Sequence, residues 1–278
     1  MRFTKGVPAV LSNFTFGQYY RADSVIHRMD PRFKLPELIA IIVFIFVCRG
    51  FGTLAIMAAL VLAVLLLSRV PLKLYFKNLK ALLPILILTA LLNMFYVQES
   101  TVLFQFWVFT VSTGGLYRAG FMAVRVVLLI LISSVLTYTT TPTELTDAIE
   151  SLLSPLKLIG LGEPVHILAM MMTIALRFIP TLTDETDKIL SAQRARGANT
   201  ESGGLIKKMK AMVPVLIPLL ISSVRRAGEL AEAMDCRCYN GGKGRTRMKK
   251  IVAGRRDFLS LFLLAVVFSS IIILQIIF

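Results

Sequence analysis

The stretch Phe258–Phe278, FLSLFLLAVVFSSIIILQIIF, runs for 21 residues without a charged side chain. An α-helix needs about 20 apolar residues to cross the hydrocarbon core of a bilayer, so this stretch predicts a transmembrane helix. The whole chain agrees with it, because 56% of its 278 residues are hydrophobic and the mean hydropathy is +0.75. These values are typical of a polytopic membrane protein and exclude an ordinary soluble domain.

Four further apolar runs predict the other spans, at 35–48, 51–67, 81–97 and 119–139. The first two are short for a span, and Arg49–Gly52 predicts a tight turn between two helices; a single broken helix is the alternative. The aromatic segment 102–112 is too short to cross and is expected at the membrane interface or as a re-entrant segment. The predicted fold is therefore all-α, a polytopic membrane protein with about five transmembrane helices.

The positive charges predict how the chain is oriented. Of the 31 Lys and Arg residues, 28 lie in three regions, which are 1–34, the predicted basic loop 69–80, and 140–257. In a soluble protein the net charge of +15 would suggest a nucleic-acid partner. In a membrane protein the positive-inside rule explains it, so no nucleic acid is expected and these regions are predicted to face the cytoplasm. The predicted domains are a cytoplasmic segment (1–34), a membrane domain (35–139), a cytoplasmic helical domain (140–257) and a final span (258–278).

The cytoplasmic section is predicted to be a series of helices at 143–153, 164–196 and 206–237. The second and third of these close with basic stretches, AQRARG at 192–197 and AMDCRCY at 233–239. Cations near helix C-termini are common, since they stabilise the helix by about 0.3–1 kcal/mol. The alternative is that Arg194, Arg196 and Arg237 bind acidic pockets of partner proteins, because the planar guanidinium makes paired bonds to carboxylates. The repeated arrangement favours two similar partners.

The stretch Met212–Ile221, MVPVLIPLLI, is apolar all round within a predicted cytoplasmic helix. One reading is burial in a helical core. The other is a sliding surface against the membrane or a membrane-embedded partner. The residues assigned to this surface are Met212, Val213, Val215, Leu216, Leu219 and Leu220.

Few residues offer chemistry. The two histidines, His27 and His166, and three cysteines do not match a metal or redox motif, and no phosphate-binding loop or HExxH is present. Only Arg125 is charged within a predicted span, whereas a transport pathway normally shows several polar midplane residues. The basic cluster Asp30–Lys34 is expected to face lipid. The chain is therefore predicted to hold no catalytic residue, metal or cofactor; a self-contained transporter and a membrane-embedded enzyme are the alternatives.

Several motifs together resemble the transmembrane T component (EcfT/CbiQ-like family) of energy-coupling factor, or ECF, transporters. They are GQYYRADSVIHRMDPRFKL at 17–35, TPTEL at 141–145, RFIP at 177–180 with Glu185, AQRARG at 192–197, and Arg237–Tyr239 followed by Gly241-Gly242 and GRT at 244–246. The N-terminal motif is most similar to the shared, multi-vitamin type. The resemblance implies a multi-pass protein of a prokaryotic cell membrane that serves substrates such as riboflavin, folate and pantothenate.

The resemblance also implies two coupling helices that end in Ala-Arg-Gly motifs, with each arginine contacting one of two ABC-type ATPases. Those ATPases would bind the ATP and Mg, and the helices would support a separate substrate-binding S component. Ala195-Arg196-Gly197 matches the first motif. The second falls on Cys236-Arg237-Cys238, where both flanking residues depart from the pattern. Because cysteine enters the left-handed backbone region only at a cost, Asn240-Gly241 is expected to end this helix instead.

Overall fold

The computed structural model describes residues 19–96, 102–106, 109–155, 160, 162–197, 204–241 and 254–277. These residues form eight α-helices and one β-hairpin: α1 Pro31–Val47, α2 Phe51–Ser68, α3 Leu72–Tyr96, β1 Val102–Phe106, β2 Phe109–Ser112, α4 Thr113–Thr139, α5 Pro142–Leu152, α6 Gly162–Ala195, α7 Leu205–Cys236 and α8 Arg255–Ile277. The start of the N-terminal motif, Gly17-Gln18, and the motif residues 242–246 lie outside the described residues.

The predicted helical fold class is confirmed, and the predicted turn after the first span is present: α1 ends at Val47 and α2 begins at Phe51. The basic region 69–80 was read as a loop, but the chain enters α3 at Leu72 and stays helical through it. The segment 102–112 is an antiparallel hairpin that pairs Gln105 with Thr110, a structure that its sequence did not indicate.

The described residues contain one more candidate span than the five that the sequence predicted. By length and composition alone, six described helices are long and apolar enough to cross a membrane: α2, α3, α4, α6, α7 and α8. Four of them match predicted spans, whereas α1 has only 17 residues. The two added helices, α6 and α7, fall in the section predicted to be cytoplasmic, because both carry long apolar stretches between charged ends.

The chain divides into two compact units, Met1–Ala148 with Lys249–Phe278 (the membrane unit) and Ile149–Met248 (the second unit). In the membrane unit, α1 and α8 run parallel. Phe44 stacks on Phe268 with ring centroids 3.5 Å apart, and Gln275 donates to the Val47 carbonyl near the far ends of both helices, at 2.9 Å. At the near ends, Ser260 donates to Glu37 at 2.7 Å. The residue numbers of the two partners differ by nearly the same amount in all three pairs, as parallel helices require.

The helix α4 packs against α1, α2 and α3. It runs antiparallel to α3, because Asn78 donates to Ser134 at 3.3 Å and Tyr138 donates to the Leu74 carbonyl at 3.4 Å. Ile132 and Val135 of α4 are buried in the core of this unit. The rest of the apolar core comes mainly from α1 and α2, including the fully buried side chains Ile45, Cys48, Leu54, Met57 and Val61.

The cluster Asp30–Lys34 does not face lipid as expected. Lys34 is buried, and its ammonium donates to the Thr139 carbonyl at the end of α4, at 3.3 Å. Asp30 caps α1 by accepting from the Arg32 amide at 2.9 Å. The buried Asp257 carboxylate accepts from the Asp30 amide at 3.1 Å and from the Gly254 amide at 2.8 Å. This polar layer ties the beginnings of α1 and α8 to the end of α4, since buried polar groups are stable only when they are paired.

Candidate functional site

The two helices that carry the predicted docking arginines, α6 and α7, pack against each other in the second unit as an antiparallel pair. Near one end, Gln193 donates to the Pro214 carbonyl at 3.4 Å. Further along, Arg226 and Glu185 form an ion pair with an N–O distance of 3.0 Å. Gly241, just beyond α7, lies beside the Glu163 carboxylate in the first turn of α6. The closer a contact lies to the N-terminus of α6, the later in the sequence is its partner in or just beyond α7. This order is the one that an antiparallel pair requires.

We call the C-termini of α6 and α7, which carry Arg196 and Arg237, the two arginine ends. At the first of them the helix is ended by a glycine whose backbone is in the left-handed region. The helix α6 ends at Ala195, and the Arg196 amide still bonds to the carbonyls of Ala192 and Gln193, each at 3.2 Å. Gly197 then has a φ of 86° and donates to the Arg194 carbonyl at 2.9 Å. A residue in the left-handed region that donates back three positions is the usual device for ending a helix, and glycine adopts that region without strain.

The second arginine end has the same geometry without glycine. The helix α7 ends at Cys236, Arg237 is the C-cap, and Cys238 has a φ of 54°. The Cys238 amide donates to the Asp235 carbonyl at 2.9 Å, and the Tyr239 amide donates to the Met234 carbonyl at 3.1 Å. These two bonds make a complete Schellman motif. The expectation that Asn240-Gly241 ends the helix was therefore wrong, because Cys238 itself takes the position of the motif's glycine.

The two arginines thus occupy equivalent C-cap positions at opposite ends of the antiparallel pair. An α-helix rises 1.5 Å per residue, so the 34-residue α6 places them roughly 40–50 Å apart. Arg196 and Arg237 are exposed. Neither guanidinium has a hydrogen-bond or ion-pair partner within the described part of the chain. Arg194 differs, because it is half-buried and has an interaction within the chain. Ala195, Cys236 and Cys238 are exposed beside the arginines.

The predicted apolar surface of α7 is only partly available for contact. Val215 is 1% exposed, so it cannot contribute to a contact surface, and Leu219 is half-buried. Met212, Val213, Leu216 and Leu220 are exposed, as predicted for such a surface. Three further exposed residues continue it. Ile217 and Ile221 lie in the predicted stretch Met212–Ile221 but were not assigned to the surface, and Val224 lies beyond the stretch.

The spacing of the exposed residues defines one helix face. Residues 212, 216, 220 and 224 are four positions apart, and 213, 217 and 221 form the adjacent row, so they share a face that covers about half of the helix surface. Val215, Leu219 and Arg226 lie on the opposite side, where Arg226 pairs with α6. We call the seven exposed residues the apolar face of α7. A single soluble helix rarely exposes so broad an apolar face unless another surface covers it.

Within the described residues, no group of three His, Cys, Asp or Glu side chains is arranged to hold a metal ion. A membrane-embedded enzyme, one of the alternatives, would need a cluster of acidic side chains, and α5 carries Glu144, Asp147 and Glu150. Of these, Glu144 accepts from the Thr141 amide at 3.2 Å as part of a capping box, and Glu150 contacts His166 at 3.3 Å. Both contacts are structural, since one satisfies a helix N-terminus and the other joins α5 to α6.

Comparisons with known proteins point to one family. A family model described as "CbiQ: Cobalt transport protein" matches residues 22–248. Three relatives carry the description "Energy-coupling factor transporter transmembrane protein EcfT". The protein from Clostridium kluyveri is 49% identical over 252 residues, 90% of this chain and 93% of its own length. The protein from Ruminiclostridium cellulolyticum is 44% identical over 97% of this chain and 100% of its own length. The protein from Bacillus subtilis is 44% identical over 89% of this chain and 93% of its own length.

The matched residues 22–248 contain both arginine ends, the apolar face of α7 and the cluster Asp30–Lys34. The six apolar helices agree with a multi-pass membrane protein. The chain therefore belongs to the CbiQ family and, within it, to the EcfT transmembrane components of energy-coupling factor transporters.

Proposed function

We propose that this chain couples ATP-driven movement of two cytoplasmic ABC-type ATPases to a membrane-embedded S component that binds the substrate. The observation that carries the proposal is the pair of exposed arginines, Arg196 and Arg237, in equivalent C-cap positions at opposite ends of one helix pair. Two equivalent sites separated by roughly 40–50 Å suit two similar partners, one at each end.

Each arginine is suited to bind a carboxylate on an ATPase surface. The guanidinium remains charged at all physiological pH values and donates two parallel hydrogen bonds to one carboxylate. The fixed helix ends hold these side chains on a rigid support, so less conformational freedom is lost on binding. Ala195, Gly197, Arg194, Cys236 and Cys238 are assigned to the same two docking sites because they flank the arginines on the same turns.

The linked helices α6 and α7 transmit movement from the ATPases at their ends to the S component. The ion pair between Arg226 and Glu185 connects them near the middle of the pair. Movement of the two ATPases relative to each other then changes the angle between the helices. The apolar face of α7 is the surface that contacts the S component, and tilting this face releases the substrate towards the cytoplasm. In this scheme the chain holds no catalytic residue and no cofactor, since ATP and Mg bind to the partner ATPases.

The chain is placed in the cell membrane of a prokaryote, with its N-terminus and the helices α6 and α7 on the cytoplasmic side. The distribution of 28 of the 31 basic residues supports this orientation. The parallel arrangement of α1 and α8 is consistent with it, because both helices then begin at the cytoplasmic face. The substrates are vitamins that exchangeable S components select.

The test is co-purification of the tagged chain with its ATPases from native membranes in mild detergent. The double variant Arg196→Glu with Arg237→Glu should lose both ATPases, because each carboxylate then meets a like charge. A matched control is Lys188→Glu with Arg225→Glu, which makes the same charge change at two exposed positions away from the helix ends. Retention of both ATPases by the Arg196→Glu, Arg237→Glu protein would refute the docking role.

A further inference from the structure

A cavity of about 560 Å³ lies within the membrane unit, between α1, α2, α4, α8 and the segment that precedes α1. Its volume falls within the range of about 300–1,000 Å³ that is usual for small-molecule sites. None of its lining residues belongs to the helices α6 and α7 that carry the proposed coupling role. The cavity therefore needs an explanation of its own.

The lining changes from charged to apolar along the helix axes. At one end are Arg28, Lys34, Arg69 and Arg256, which we call the cationic mouth. Two turns further along α1, Ile41 replaces Lys34 at the cavity wall. The same change occurs from Arg69 to Leu60 on α2 and from Arg256 to Leu264 on α8, over about 12 Å in each case. The cavity thus matches a ligand with a charged head and an apolar tail.

The charge of the mouth selects an anionic head. Arg28 is occupied, since it bonds to the Asp23 carboxylate at 2.5 and 2.7 Å, and these bonds hold the pKa of Asp23 below its ordinary value. Lys34 is the buried member of the mouth, and its ammonium donates to the Thr139 carbonyl. Glu37 accepts from Ser260 within the wall. Arg69 donates one hydrogen bond to the Asp23 carbonyl at 3.4 Å. Arg69 and Arg256 are both exposed, so the other donors of Arg69 and the guanidinium of Arg256 can reach a ligand. Their planar donors suit a phosphate group.

The cavity is open to apolar surroundings on one side. Leu67 of α2 and Leu259 and Leu263 of α8 line it, and more than half of each side chain is exposed. The helices α2 and α8 meet at their opposite ends, where Leu274 lies against Gly52. An acyl chain can therefore enter between the two helices from the surrounding bilayer. A soluble anion would leave the apolar part of this wall without a partner.

We propose that this cavity binds an anionic phospholipid, with its phosphate against Arg69 and Arg256 and one acyl chain along Leu60, Val64 and Leu263. Cationic pockets between transmembrane helices at the cytoplasmic surface are favourable sites for acidic lipid headgroups, because that leaflet carries a negative surface potential. The lipid would fill the space between α2 and α8 and connect the segment before α1 to these two helices.

The test is native mass spectrometry of the purified full-length chain after delipidation, with dioleoylphosphatidylglycerol and dioleoylphosphatidylcholine as probes. We expect one phosphatidylglycerol to be retained at least about tenfold more strongly than phosphatidylcholine, since Arg69 and Arg256 each donate a charge-assisted hydrogen bond to the anionic headgroup. Glycerol 3-phosphate at the same concentration should neither bind nor compete. Equal retention of the two lipids would overturn the proposal, and so would competition by glycerol 3-phosphate, which would mean a site for a soluble anion.

Two pairs of variants locate the binding. Arg69→Gln with Arg256→Gln should lose the preference for phosphatidylglycerol, whereas Arg255→Gln, at the adjacent exposed position outside the cavity, should keep it. Leu263→Trp should fill the apolar part and exclude the lipid, whereas Leu261→Trp, an exposed position of the same helix outside the cavity, should not. Melting temperatures in lipid-free detergent establish that each variant is folded. An Arg69→Gln, Arg256→Gln protein that is folded and binds phosphatidylglycerol like the native chain would refute the proposed site.

Discussion

Gly197 and Cys238 occupy the same position at the ends of two different helices. Each is the second residue after the last helical one, each has a positive φ, of 86° and 54°, and each donates to the carbonyl three residues before it, at 2.9 Å. Glycine does so without strain, whereas a residue with a Cβ loses about 1–2 kcal/mol in this region. The second helix end therefore keeps the geometry of the first at a cost in stability.

We expect Cys238→Gly to stabilise the end of α7. The gain in the free energy of unfolding should be about 0.5–1 kcal/mol, because relief of the backbone strain is partly offset by the greater freedom of glycine in the unfolded chain. Amide hydrogen exchange at Arg237–Tyr239 measures the local effect, and it should slow down. The double variant Cys236→Ala with Cys238→Gly should still assemble with the ATPases, since neither sulfur is needed for the helix end.

The reverse substitution, Gly197→Cys, is the matched control. It should destabilise the end of α6 by about 1–2 kcal/mol and speed up amide exchange at Arg196 and Gly197. If Cys238→Gly instead destabilised the chain or prevented assembly, the thiol of Cys238 would have a role of its own.

Single charge reversals should separate the two docking sites. Because Arg196 and Arg237 lie at opposite ends of the helix pair, Arg196→Glu should remove one ATPase contact and leave the other. We expect a tagged Arg196→Glu chain to retain less ATPase than the native chain but more than the double variant, and Arg237→Glu to behave likewise. Native mass spectrometry of the complexes gives the ratio of subunits. Complete loss of both ATPases in either single variant would show that the two ends do not act as separate sites.

The ion pair between Arg226 and Glu185 should matter more for coupling than for stability. Both side chains are partly exposed, so a double-mutant cycle with Arg226→Gln and Glu185→Gln should give a coupling energy of about 1 kcal/mol or less. Either variant should still bind the ATPases but hydrolyse ATP with less vitamin uptake per ATP, because the helices are no longer held together at this point. Exchanging the charges, Glu185→Arg with Arg226→Glu, should restore uptake. Unchanged coupling in both single variants would remove this pair from the mechanism.

Polar substitutions on the apolar face of α7 should separate S-component binding from ATPase binding. Leu216 and Leu220 are 55% and 66% exposed, so Leu216→Gln with Leu220→Gln should leave the melting temperature nearly unchanged. The S component should be lost from co-purified complexes while both ATPases remain. The control is Val215→Ala at the buried position, which should lower stability by about 1.5–2 kcal/mol and leave the S component bound. Retention of the S component by the Leu216→Gln, Leu220→Gln protein would refute this assignment of the surface.

Much of the helical fold was predictable from the sequence, because apolar runs and their Gly and Pro boundaries determine it locally. The predicted ends at Cys48, Arg196 and Arg237 each lie one residue beyond the observed ends of α1, α6 and α7. The beginning of α3 was placed too late. Lys73, Lys77 and Lys80 suggested a loop, but they lie on one side of a continuous helix and interrupt neither its backbone nor its apolar side.

The errors concern contacts with distant parts of the chain. Lys34 was expected to face lipid, and only the Thr139 carbonyl, 105 residues away, explains why it is buried. Similarly, Val215 and Leu220 are equivalent in a sequence that is apolar on every side. The packing of α7 on α6 buries the first and exposes the second. The local sequence pattern predicts the helices and their ends. Which residues of a site are accessible depends instead on the distant parts of the chain that pack against them.

Arg125 is expected to contribute to the fold rather than to substrate choice. Its guanidinium donates a hydrogen bond to the carbonyl of Cys48, the C-cap of α1, and lies over the Phe121 ring at 4.6 Å. A carbonyl at a helix end lacks an intrahelical partner, so Arg125→Leu leaves it unpaired and should lower stability by about 1.5–3 kcal/mol. Arg125→Lys should recover part of that loss, because it restores a charged donor but not the planar contact with Phe121. Unfolding of the purified chain measures the stability, and uptake of several vitamins by cells carrying each variant measures the substrate range. All vitamins should be affected in the same proportion, because Arg125 acts through α1; a change in the order of preferred vitamins would instead place this residue on the substrate pathway.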